Sequence, residues 1–183
     1  DVYHENPFGA DSAIAFDGSG DYLYMEDSED WDFGTGDFTI DLWVNPTALP
    51  STFASLLSTD GGTGSNGYFL RLYADGRVGL DYRINGTYHV GLRSTPLLTA
   101  DTWSHVAVVR KDSTITLYVD GMAEDTITES RNMNSGGVGM VISRWDPNRD
   151  GAYFNGHMDE IRILKGTARW ENDFMPPLDP DIQ

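Results

Sequence analysis

The sequence has no cysteine, two lysines and seven glutamates. Without cysteine there is no disulfide framework, no zinc–thiolate site and no thiol nucleophile. Bases number 12 against 29 acids, and the net charge of −17 argues against nucleic acid or an anionic membrane as the main partner. No apolar run approaches the roughly 20 residues of a spanning helix, so membrane insertion is not expected. The opening residues do not read as a signal peptide. Nowhere do ten consecutive residues carry a 3.6-residue period; Asp101–Ser104 is the one stretch expected to form a helical turn.

Aspartate, arginine and glycine are abundant. There are 22 Asp among the acids, 10 Arg among the bases, and 20 Gly in 183 residues. Asp and Gly favour turns, whereas the scarce Glu and Lys favour helices, so the composition is that of a strand-and-turn protein. The length suits one domain. Phe38, Ile40, Leu42 and Val44 alternate with Thr39, Asp41, Trp43 and Asn45 until Pro46 ends the run. Ile115, Leu117 and Val119 alternate in the same way before Asp120-Gly121. Further strands are expected at 13–16, 22–25, 67–73, 76–83, 87–93, 103–110, 138–144 and 157–164, separated by turns such as Ala74-Asp75-Gly76 and Ile84-Asn85-Gly86. About a dozen short strands at this spacing predict an all-β fold, a sandwich or a barrel.

Four segments carry a family likeness. Ala15–Leu23, Gly36–Val44, the pair Trp103–Arg110 with Leu117–Gly121, and Gly156–Ile163 resemble, in order, strands of the laminin-G-like, concanavalin A-like jelly-roll family. The likeness implies a two-sheet antiparallel β-sandwich over residues 13–175, with a lead-in at 1–12 and an extended tail at 176–183. The ending Gly166–Phe174 is similar to endings found in phage structural proteins and bacterial surface proteins. Lectins, carbohydrate-binding modules, adhesion domains and some glycoside hydrolases share the fold, so it implies architecture more firmly than activity.

Retaining glycosidases on this sandwich place two Glu and an Asp along one strand, because two carboxyls must face each other across the scissile bond. None of the seven Glu lies in such an arrangement, and no catalytic residue is assigned. Ser58–Thr63 resembles a sialidase Asp-box only faintly, lacking its Trp and its repeats.

Calcium is the expected cofactor. In related jelly rolls a structural Ca²⁺ is held near the closing strand, which by that resemblance makes Asp159 a ligand, with Asp17 and Asp21 of the first turn nearby; a capping or ion-pairing Asp159 is the alternative. Asp146, Asn148 and Asp150 form a second set, whose Asp-x-Asn-x-Asp-Gly spacing puts three oxygen side chains on one side of a tight turn, although a solvated turn would look the same.

Two sets of side chains are candidates for a glycan. Arg144, Trp145, Asp146, Asn148 and Tyr153 combine rings that can stack on sugar C–H faces with groups that can bond hydroxyls; the alternative is a loop anchor. If Leu70, Leu72, Val78, Leu80, Val90 and Leu92 face the core, then Arg71, Tyr73, Arg77, Asp81, Arg83, His89 and Arg93 share the other face. Four of the ten Arg fall in these 27 residues, a local reversal of charge. Such a face would suit an acidic or sulfated polysaccharide, or it would be an ordinary sheet surface laced by Arg–Asp pairs. The expected function is a non-catalytic carbohydrate-binding or adhesion module of a larger extracellular, surface or virion protein. Its partners would be a glycan and other domains of the parent chain. A ligand-free structural spacer is the alternative, and a hydrolase or lyase the least favoured reading.

Overall fold

The computed structural model describes residues 13–95, 97–146 and 151–177. Two six-stranded antiparallel sheets face each other. Sheet A has the order β1 (Ile14–Asp17), β12 (Asn155–Lys165), β3 (Phe38–Pro46), β8 (Ser104–Lys111), β9 (Thr114–Val119), β10 (Met122–Thr128). Sheet B has the order β2 (Leu23–Met25), β11 (Met140–Ile142), β4 (Phe53–Ser58), β5 (Gly67–Tyr73), β6 (Val78–Ile84), β7 (Thr87–Arg93). This is the all-β sandwich that the alternation predicts. The one helical turn among the described residues is Glu29–Trp31, capped by the Ser28 hydroxyl. Asp101–Ser104 is not helical: Asp101 has φ of 57° and leads into β8.

The core lies between the sheets. Ile40, Leu42 and Val44 of β3 and Val106 and Val108 of β8 meet Leu70, Leu72, Val78 and Leu80 of β5 and β6, all buried. The opposite face of sheet A is covered too. The chain after Gly166 runs back across it: Thr39 Oγ1 donates to the Thr167 carbonyl, the Phe174 N–H donates to Gly121, and Trp43 Nε1 donates to the Pro177 carbonyl. Trp170 and Phe174 stack at 3.9 Å and close over Ala107, Val109 and Tyr118. Trp43 belongs to this second layer, edge-on to His105 at 5.3 Å. Beneath it Asp41 accepts from Arg162 and contacts buried His105.

Candidate functional site

Outward positions on sheet B follow from register. Phe53 pairs with Tyr73, Ser55 with Arg71, Phe69 with Asp81, and Gly79 with Arg93, so these side chains share the face away from the core. Across β6 and β7 the register slips by one residue: Leu80 pairs with Leu92, but Asp81 pairs with Val90. Gly91 is the extra residue, a β-bulge that inverts the alternation before it. A Cβ there would lie 2.3 Å from the Leu80 carbonyl oxygen, which is why glycine occupies the position. Two expectations are corrected by this bulge. Val90 is not a core residue but an outward one, 67 % exposed. His89 does not join the Arg face; it stacks on inward-facing Tyr82 at 5.0 Å and contacts Arg131. Tyr88 takes its place on the outside.

Asp81 organises the face. It is wholly buried and accepts from Arg71 Nη1, Arg93 Nη2, the Tyr73 and Tyr88 hydroxyls, and the Gly91 N–H. Burial alone would raise its pKa, but the bonds from Tyr73, Tyr88 and Arg93 outweigh it and hold the carboxyl below its ordinary value. Burial, with Asp81 beside them, raises both tyrosine pKa values. Arg71 is sandwiched between the rings of Phe53 and Phe69, at 4.5 and 4.3 Å, with Trp145 at 5.7 Å. Arg93 lies 4.3 Å from the Tyr73 ring centre, and Arg83 pairs with buried Asp60 at 3.1 Å. Asp60 belongs to the Asp-box-like stretch, where its carboxylate also bonds the Gly62 N–H and holds a turn. Arg77 contacts Asp75 in solvent. Arg71, Arg83 and Arg93 are therefore held in Arg–Asp pairs clamped by aromatic rings, whereas Arg77 is an exposed cation.

At the end of this face where β4 begins and β5 finishes, a cleft of about 590 Å³ opens. Trp145, Gly151, Ala152 and Tyr153 line one side, Ala48–Ala54 another, and Asp17, Gly18 and Asn155 the rest. Trp145 packs edge-on against Phe53 at 5.4 Å. Thr52 also lines an adjoining hollow with Tyr73, Arg77 and Arg93. The two sets of candidate glycan contacts thus meet at Trp145, where the loop approaches Arg71. Arg144 is separate, its guanidinium turned toward the Tyr22 ring at 4.7 Å. Phe53, Phe69 and Tyr88, which shape the face, were not singled out by the sequence.

The calcium set around Asp159 does not converge. Asp17 pairs with Asn155 in the β1–β12 register, four residues from Asp159 and so about 13 Å along the strand. Asp17 and Asp21 bond backbone N–H groups of their own turn, and the Asp159 carboxylate caps the Glu160 N–H in a bulge of β12. No three His, Asp or Glu side chains among the described residues are grouped to hold a metal. These residues do not fit a shared Ca²⁺. Asp146 is buried, whereas Asn148 and Asp150 lie outside the described residues.

A family model described as the concanavalin A-like lectin/glucanases superfamily matches residues 17–171. The chain belongs to this superfamily. No curated protein matches the sequence. Among solved structures, the superfamily fold is shared with the Ruminococcus gnavus IT-sialidase CBM40 at a TM-score of 0.67 and 14 % identity, over 84 % of this chain and 89 % of that one. It is shared with a putative carbohydrate binding protein from Bacteroides ovatus at 0.65 and 22 %, over 88 % and 45 %. Domain 4 of the Geobacillus stearothermophilus GH43 arabinanase AbnA, solved with arabinotriose, matches at 0.65 and 18 %, over 91 % and 76 %. At these identities the likeness is one of fold.

Proposed function

We propose that this domain is a non-catalytic carbohydrate-binding module whose glycan lies in the Trp145 cleft. One observation carries the reading. The cleft presents Trp145 and Tyr153 beside Asp17 and Asn155, rings for the apolar faces of a sugar and acceptors and donors for its hydroxyls. Its volume suits a short saccharide, small-molecule sites being about 300–1,000 Å³. Asp17 is the one carboxylate among the described lining residues, whereas glycoside hydrolysis uses two facing each other. The fold's presence in CBM40 and in an arabinanase domain solved with arabinotriose supports the same reading.

A neutral glycan suits the cleft better than the acidic polysaccharide that the arginine count suggests. Asp60, Asp75 and Asp81 already hold all four guanidinia of the face. As a binding module the domain would act outside the cell, on a surface or virion protein, attached to other domains. Ca²⁺ is the cofactor proposed for Asp146, Asn148 and Asp150, whose Asp-x-Asn-x-Asp-Gly sequence directly follows Trp145.

A glycan array with Ca²⁺ and EDTA arms, followed by titration of the best ligand against the parent and Trp145→Ala, tests this. Saturable binding that Trp145→Ala loses supports the cleft. Binding that Trp145→Ala retains places the glycan elsewhere, and no binding under any condition leaves the ligand-free spacer.

A further inference from the structure

At the opposite end of β5 and β6 a second cavity of about 370 Å³ is lined by Thr35, Asn66, Ile84, Asn85, Ser130, Arg131, Asn132 and Asn134. Four amides, two hydroxyls and a guanidinium surround it, with no carboxylate among them. Two of the amides have their orientation set from behind. Asn66 Oδ1 accepts the Asn85 N–H at 2.8 Å, and Asn134 Oδ1 accepts the Gly34 N–H at 3.0 Å. With each carbonyl end committed to backbone, the Nδ2 end of the amide is the end that remains for a ligand.

Arg131 is held as firmly. Its Nε and Nη2 donate to the two oxygens of Glu129 at 2.8 and 2.6 Å, and Nη1 reaches His89 Nε2 at 3.3 Å. Glu129, 4 % exposed, also accepts from the Tyr82 hydroxyl and the Arg131 N–H, so its oxygens are engaged behind the cavity wall. A guanidinium has five N–H groups, and those not directed at Glu129 or His89 remain on the half-exposed side of Arg131. The cavity thus offers several oriented donors and few acceptors. A sugar hydroxyl needs both; a carboxylate or sulfate needs donors alone.

We propose that this cavity is a second binding site, independent of the Trp145 cleft, for the oxyanion of an acidic saccharide. The Glu129 charge compensates Arg131, so the anion is recognised by hydrogen-bond geometry more than by net charge, and its binding weakens little with salt.

The test uses ¹⁵N-labelled protein, titrated with glucuronate, glucose and inorganic sulfate while the side-chain amide resonances are followed. Glucuronate is expected to shift the Asn66 and Asn134 NH₂ signals saturably, and glucose is not. Asn66→Asp and Asn134→Asp each keep the oxygen that accepts the backbone N–H and replace the outward NH₂ by a second oxygen. Each variant should bind glucuronate about tenfold more weakly, or worse, with the loss of a charge-assisted bond. Asn132→Asp, at an exposed position, gives the same readout should either of those variants fail to fold. Equal shifts with glucose, no response to either glucuronate or sulfate, or parent-like binding by the folded variants would each overturn the proposal. Loss of glycan binding in Trp145→Ala with glucuronate binding intact would separate the two sites.

Discussion

Arg71 and Asp81 form an ion pair at 3.2 Å whose carboxylate is completely buried and whose guanidinium side chain is only 6 % exposed. The pair sits on the outer face of a sheet, where a solvated contact would contribute only about 0–1 kcal/mol. Three rings and two tyrosine hydroxyls exclude water here, and the interaction follows the rules of an interior. Removing one member of such a pair strands the other.

Asp81→Asn should therefore destabilise the domain by about 3–5 kcal/mol, the usual cost of breaking a buried pair, because Arg71 and Arg93 both lose their anion. Urea unfolding monitored by tryptophan fluorescence measures it. A loss under about 1 kcal/mol would mean that the face is solvated after all.

Acid stability should depend on Glu129. Its hydrogen bonds from Arg131, acting against burial, lower its pKa from the ordinary 4.5 to about 2. A depressed carboxylate pKa stabilises the fold above the unfolded value, and that stabilisation disappears as pH falls from about 4.5 to about 2. Solvent screening at the half-exposed Arg131 keeps it to about 1–2 kcal/mol. Glu129→Gln should flatten the pH profile of stability across that window and lower stability at neutral pH. Parallel profiles for parent and variant would contradict the assignment.

Sheet A needs its strap. Phe174→Ala removes the ring stacked on Trp170 and uncovers Val109 and Tyr118. A loss of about 1.5–3 kcal/mol is expected, at or below the range for a fully buried aromatic because Phe174 is only half-buried. Thermal unfolding gives the size. Hydrogen exchange should show faster exchange at the Phe174 and Ala123 N–H groups, which bond across the strap. An unchanged Tm would show the strap to be a passive cover.

Asp159→Asn should leave the response of Tm to Ca²⁺ and EDTA the same as in the parent, because Asp159 bonds Glu160 in a bulge remote from Asp17. Should the variant alone lose a calcium response, Asp159 is a ligand by a rearrangement of β12.

Alternation made most strands legible, and the places where it misled are all bulges. β3 reads cleanly because it pairs without interruption with β8. β4 is hidden in the sequence: a bulge between Ser55 and Leu57 buries Leu56 and Leu57 together and erases the period of two. β10, an edge strand with mostly polar, half-exposed residues and its own bulge after Ala123, lacks a hydrophobic signature. Trp145 and Tyr153 stand out as aromatics in a polar loop, and the cleft brings them together. Its other wall comes from the unrecognised β4, so Phe53 went unnoticed. The arginines were visible as a group, but their pairing with Asp60 and Asp81 depends on which residues lie opposite across strands.

Gly91 sets the parity of β7. Upstream of it, odd and even positions exchange roles, so Tyr88 and Val90 face outward while His89 faces Tyr82. Deleting Val90, while Gly91 keeps its bulge, would set His89 opposite Asp81 on the arginine face and turn Tyr88 toward the core, with no substitution anywhere. In a chain that diversifies by insertion and deletion as well as by replacement, a single codon here rewrites the chemistry of an entire surface. Length variants of β7, rather than point variants, are thus the shortest mutational path to a differently charged sheet.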